Sequence, residues 1–159
     1  MSNGRERVGS FPSIHNPNVS RFIMAKNSLK LAFGTSKVKE EEGVEIFITD
    51  DLSVTIRRFK SRAAQDAAKE FQKAYRLPNG KKMTTAQVEE LVTKIMAKAI
   101  IVSWKGVTDD NGNELDCTFD NKLAVLQDEE MSDFREFIAN AANERDTFQA
   151  ELDEDGEGN

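Results

Sequence analysis

The sequence predicts an α+β protein that is mostly α: an N-terminal β-hairpin packed on an antiparallel domain of about four helices, flanked by a basic arm and an acidic tail. Three observations predict it. Apolar and polar residues alternate on both sides of Asp50-Asp51, as strands of a hairpin require. From Ser61 onward the apolar residues instead recur at i, i+3, i+4 and i+7, the period of a helix with one buried face. The ends carry charge without apolar period, the signature of chain that cannot bury enough surface to order itself.

Residues 1–42 form the arm. They are rich in Ser, Asn and Gly, contain Pro12 and Pro17, and are expected to be largely irregular. Within them Val19, Phe22 and Ile23 can share one helical turn, and Leu29, Leu31 and Phe33 alternate as a short strand would. Residues 1–39 hold seven Lys/Arg against one Glu, a net +6 in a chain whose total is -6. The hairpin is expected over 44–58, with Val44, Ile46 and Ile48 on its first strand and Leu52, Val54 and Ile56 on its second. Two strands alone are marginal in water, so the helices that follow must cover their apolar face.

Ser61 can cap a helix over 61–76 in which Ala64, Ala67, Ala68, Phe71 and Tyr75 share a face. Leu77-Pro78-Asn79-Gly80 ends it, since proline cannot supply the next amide. Thr84-Thr85-Ala86-Gln87 reads as a capping box opening a helix over 85–102 with Val88, Leu91, Val92, Ile95, Met96, Ala99 and Ile100 on one stripe. Ile101, Val102 and Trp104 extend the apolar run beyond that stripe, which predicts a change of direction into a buried or strand-like segment. Thr118 or Asp120 can cap a short helix over 119–127. A last helix over 131–152 carries Phe134, Phe137, Ile138, Ala141, Arg145, Phe148 and Leu152 on one stripe, and residues 153–159 form an acidic disordered tail.

Composition excludes several classes. Charged residues are 31% and mean hydropathy is -0.56, and no run approaches the ~20 apolar residues of a membrane span. The start lacks the apolar stretch of a signal peptide, so the cytoplasm is the expected location. One cysteine and one histidine leave no usual zinc site. His15 has no nearby acidic partner, and Cys117 sits among Glu114, Asp116 and Asp120, whose charge opposes a thiolate. The turn Asp109-Asp110-Asn111-Gly112 fails the calcium-loop order, because with Gly112 at the loop glycine the first and twelfth ligand positions fall on Val107 and Thr118. Phosphate-binding, dinucleotide-binding and hydrolase motifs are missing. The expectation is a protein without catalytic site, metal or cofactor. The arm's cations are dispersed and the chain is acidic overall, which favours a solvated or docking arm over a nucleic-acid contact.

The order of pieces carries a resemblance. A hairpin ending in Val54-Thr55-Ile56-Arg57-Arg58 and an alanine-rich helix are followed by a second helix running into Ala99-Ile100-Ile101-Val102-Ser103-Trp104-Lys105-Gly106-Val107. The turn Asp109-Asp110-Asn111-Gly112, the segment Leu115-Asp116-Cys117-Thr118-Phe119-Asp120-Asn121, a Leu123-Ala124-Val125-Leu126 helix and a Phe-rich final helix complete it. Over residues 43–152 this resembles the tail assembly chaperones of long-tailed, siphovirus-type bacteriophages. The chain departs from the pattern in its long basic arm and in Cys117, where such chaperones more often carry a small or aromatic residue.

The resemblance implies a non-enzymatic chaperone of the host cytoplasm. It would coat the apolar, helical tape measure protein and help recruit the major tail tube protein, often with a longer frameshifted product, and would be absent from the finished virion. Trp104, Phe134, Phe137, Ile138, Phe148 and Leu152 are the candidate partner-binding residues, and they either form the core seam or bind the client. Self-association is a further expectation. Two other classes fit the same residues: a structural head-tail or tail-terminator subunit, and a small nucleic-acid-binding regulator using the basic arm.

Overall fold

Residues 28–75 and 78–150 are described by a computed structural model, in which the chain divides into two units, Met1–Gly34 and Thr35–Asn159. The turn expected at 19–23, His15, Leu152 and the tail 153–159 lie outside the described residues. In the first unit residues 28–33 are helical, and the Gly34 amide donates to the Lys30 carbonyl at 2.6 Å. That corrects the strand expected from Leu29, Leu31 and Phe33. Alternation over five residues fits either structure, and a helix satisfies its own backbone where a strand needs a neighbour.

The second unit opens with α1 (Lys37–Glu42), a helix inside the segment expected to be irregular. The Ser36 hydroxyl accepts from the Lys39 amide at 3.3 Å, and Gly43, at φ +102°, ends the helix. Glu40 from α1 is buried and accepts from Thr35 Oγ1 at 2.6 Å, Lys37 Nζ at 2.8 Å and the buried Arg58 guanidinium. Both carboxylate oxygens of Glu41 accept from the Arg62 amide at 3.0 Å, where negative charge meets the positive end of the next helix. The arm's C-terminal end thus belongs to the packed body because two of its carboxylates find buried or helix-terminal partners.

The hairpin forms as expected, with β1 (Val44–Phe47) antiparallel to β2 (Ser53–Ile56) and Ile46 opposite Val54. It gains a third strand, β3 (Ile101–Lys105), antiparallel to β2 with Val54 opposite Trp104, so the sheet order is β1-β2-β3. The helix expected over 85–102 is therefore shorter. Helix α3 (Thr85–Ile95) widens into a π-turn (Met96–Ile100) and passes directly into β3. Ile95, Met96, Ala97, Ala99, Ile100 and Ile101 are all buried, more than one helical face can hide. The β-branched run Ile100-Ile101-Val102 favours the extended state that follows.

Helix α2 (Arg62–Gln72) starts at Ser61, whose hydroxyl accepts from the Ala64 amide at 3.3 Å, and buries Ala64 and Ala67. A 3₁₀ turn (Lys73–Tyr75) continues it. At α3 the capping box closes both ways, Gln87 N to Thr84 Oγ1 at 3.2 Å and Thr84 N to Gln87 Oε1 at 2.9 Å. Helix α4 (Phe119–Gln127) matches its expected span, with Thr118 as the cap at 3.2 Å from the Asn121 amide. Phe71 of α2 stacks on Phe119, ring centroids 6.4 Å apart.

The final helix departs most from expectation. Helix α5 (Ser132–Asn143) stops at Glu144, which is extended, and a separate 3₁₀ turn (Asp146–Phe148) follows. The stripe from Phe134 to Leu152 does not run along one rod. A helix of that length would extend about 30 Å and hold Phe148 away from the sheet. The chain instead folds back, burying Phe148 completely, and its carbonyl accepts from the Ser36 amide at 2.9 Å. Thr35 and Gln149 form a β-bridge beside it. The core joins Val54 and Ile56 of the sheet to Ile95, Met96, Ile100, Leu126, Ile138 and Phe148.

Candidate partner-binding surface

The structure sorts the sequence-predicted partner residues between core and surface. Ile138 and Phe148 are wholly buried in the core, and Phe134 is half-buried against it. Trp104 is buried on β3, its Nε1 donating to the Leu115 carbonyl at 2.7 Å, so its polar edge is satisfied where its ring packs. Phe137 differs from all of these in being 39% exposed. Leu152 is outside the described residues. The five described side chains therefore do not form one open patch.

An open apolar surface lies elsewhere. Between α3 and α5 runs a groove of about 580 Å³. Val88 and Val92 of α3 line it together with Ala139 of α5, and the buried Met96 of the π-turn closes its floor. Val88 is 44% exposed, although its position on the α3 stripe reads in sequence as core. Phe137 stands two residues, about 200°, from Ala139 around α5, and so faces away from the groove.

Charge borders the groove unevenly. Glu89, Glu90 and Glu136 stand against one cation, Arg135. Arg135 turns inward, Nη1 donating to the Leu126 carbonyl at 2.7 Å, which occupies part of its donor set on the C-terminal turn of α4. Glu90 pairs with Lys94 one turn on, at 2.7 Å. Hydrogen bonds from Lys94 and Tyr75 hold the Glu90 carboxyl below the usual range. Glu89 and Glu136 form no ion pair among the described residues.

The other polar candidates turn inward to structure. Asp109 Oδ1 accepts from the amides of Asn111 and Asn113, both at 2.9 Å, so its carboxylate closes its own turn. Among the described residues no group of three or more His, Cys, Asp or Glu is placed to hold a metal ion. Burial pushes the Cys117 thiol up, while the Lys122 ammonium and the Trp104 backbone pull the other way. The cause differs from the neighbouring acids expected from sequence, because the chain places Cys117 against the protein interior and Lys122. Lys122, itself buried, has its pKa lowered by that burial and donates to the Ile101 carbonyl at 2.9 Å.

The described fold is thus a helical body on a small sheet, with an open groove between two of its helices. Residues 50–159 match the model of the YdaY prophage protein family, so the chain belongs to that family and is phage-derived. No curated protein and no solved structure matches it. No helix of the described residues is long and apolar enough to cross a membrane.

Proposed function

We propose that this prophage protein is a tail assembly chaperone, without enzymatic activity, that binds and solubilises the tape measure protein in the host cytoplasm and helps bring tail tube subunits to it. The observation that carries the reading is the open apolar groove between α3 and α5 in a chain of a prophage family. A long helical client with apolar stripes aggregates unless those stripes are covered, and an amphipathic helix seated in a hydrophobic groove is a recurrent way to cover them. The acidic surface adds repulsion between coated clients. In this reading Ile138, Phe148 and Trp104 build the platform, and Val88 and Val92 meet the client.

Coexpression with the product of the longest neighbouring gene tests it. The expected result is that this product becomes soluble and copurifies with the chain, while purified particles contain none of the chain. A client that stays insoluble overturns the reading. Stoichiometric amounts of the chain in finished particles would identify a structural subunit instead.

A further inference from the structure

We infer that the α3–α5 groove selects a single amphipathic helix whose apolar ridge is flanked by Lys or Arg; this rests on the proposed client-binding role of the same groove and names the chemistry of what it takes. The apolar floor dictates the ridge. Val88 and Val92 stand one turn apart on α3, and the buried Met96, one turn further on at the start of the π-turn, closes the floor, a span of about 12 Å. A helix presenting apolar residues at i and i+4 fits the open part of that ridge.

The rim dictates the flanks. Of the four charged side chains bordering the trough, three are carboxylates. The guanidinium is drawn toward the Leu126 carbonyl, and Glu90 is matched by Lys94. Glu89 on α3 and Glu136 on α5 remain, among the described residues, as negative charges without an ion-pair partner on the two walls. Both carboxylates are exposed, so they attract a basic flank and repel an acidic one through a field that salt screens. Phosphate-bearing nucleic acid is repelled from this groove on the same ground.

The probe is a fluorescent, helix-forming peptide of about 18 residues with a leucine ridge and lysine flanks, compared with the same peptide carrying glutamate flanks. Anisotropy titrations with the full chain are expected to show the lysine peptide binding at least about tenfold more tightly at low salt, with the gap closing as salt rises. The double variant Glu89→Lys/Glu136→Lys, both changes at exposed positions, should reverse the preference. Asp50→Lys/Asp51→Lys, in the exposed β1–β2 turn, should leave it in place. Equal binding of the two peptides, no binding, or the same reversal from the turn variant overturns the inference. So does a chain dimer that dissociates in the Glu89→Lys/Glu136→Lys variant, since the groove's occupant is then a second copy. A client that copurifies undiminished with the groove variant rejects the groove while leaving the chaperone reading standing. Peptide discrimination without any client rejects the chaperone reading alone.

Discussion

Arg58 donates to the Glu40 carboxylate across 18 residues of chain, and both side chains are buried. This pair fastens α1 to the segment that leaves the hairpin. Burial pushes the Glu40 carboxyl up, but hydrogen bonds from Lys37, Thr35 and Arg58, with the Lys37 charge, outweigh it and hold the group at about 2 against an ordinary 4.5. Arg58 Nη1 also donates to Thr35 Oγ1 at 3.3 Å, while Nε, buried and without a hydrogen-bond partner among the described residues, leaves Glu40 the one charged partner of the guanidinium there.

Glu40→Ala should therefore destabilise the protein by about 3–5 kcal/mol, because it strands a buried guanidinium. The double variant Glu40→Met/Arg58→Met should recover most of that loss, as an apolar pair of similar volume often does. Urea titrations of the three proteins decide it, and a double variant no more stable than Glu40→Ala would contradict this account of the pair.

The same group sets an acid limit. A carboxyl whose folded pKa is depressed contributes stability that is fully present above the unfolded value and is lost as pH falls through the folded one. Stability should then decline from about pH 4.5 toward about pH 2. In Glu40→Gln that decline should be shallower, as read from urea midpoints across the range.

Phe148 and Phe137 should behave oppositely although both lie on the predicted stripe. Phe148→Ala empties a fully buried site and should cost about 3–5 kcal/mol. Phe137→Ser, at a partly exposed position, should cost under about 1 kcal/mol. Thermal melts by circular dichroism compare them, and equal losses would mean that one continuous stripe is packed after all.

Gly106 follows β3 at φ +76°, and a Cβ there would stand 2.0 Å from the Asp51 carbonyl oxygen. Gly106→Ala should cost more than about 1 kcal/mol, combining a left-handed backbone with a clash against main chain. Gly112, also left-handed but with open space around its Cβ, should tolerate alanine better, and melts of the two variants side by side supply the check.

Cys117 should alkylate slowly. Its thiol is pushed above the ordinary 9.0 by burial, with Lys122 partly opposing. The pH profile of iodoacetamide modification in the folded protein should have its midpoint above 9.0, and denaturant should speed the reaction at neutral pH. A midpoint at or below that value would show a thiolate favoured by its surroundings.

Local signals in the sequence reported the fold well where the chain decides locally. Ser61, Thr84 and Thr118 each cap the helix that follows, because a cap needs only a side-chain oxygen and an amide two or three residues away. The pairing of β3 with β2 joins residues about fifty positions apart, and nothing in the spacing of Val54 and Trp104 announces it. The end of α5 escaped for a related reason. Helical period continues through Phe148, yet the burial of Phe148 beside Ser36 outweighs that period. The groove was the least legible feature, since Val88 and Val92 have the same pattern as covered core residues. Only the placement of α5 shows that Val88 is left exposed and Val92 partly so.

The bridge between Thr35 and Gln149 brings the two ends of the packed body together. Gln149 therefore lies beside the residue that leads into the first turn of α1. The geometry also permits circular permutation: a short linker from 150 to 35, with new termini opened in the exposed β1–β2 turn at Asp50-Asp51, should preserve the body while relocating its attachment points.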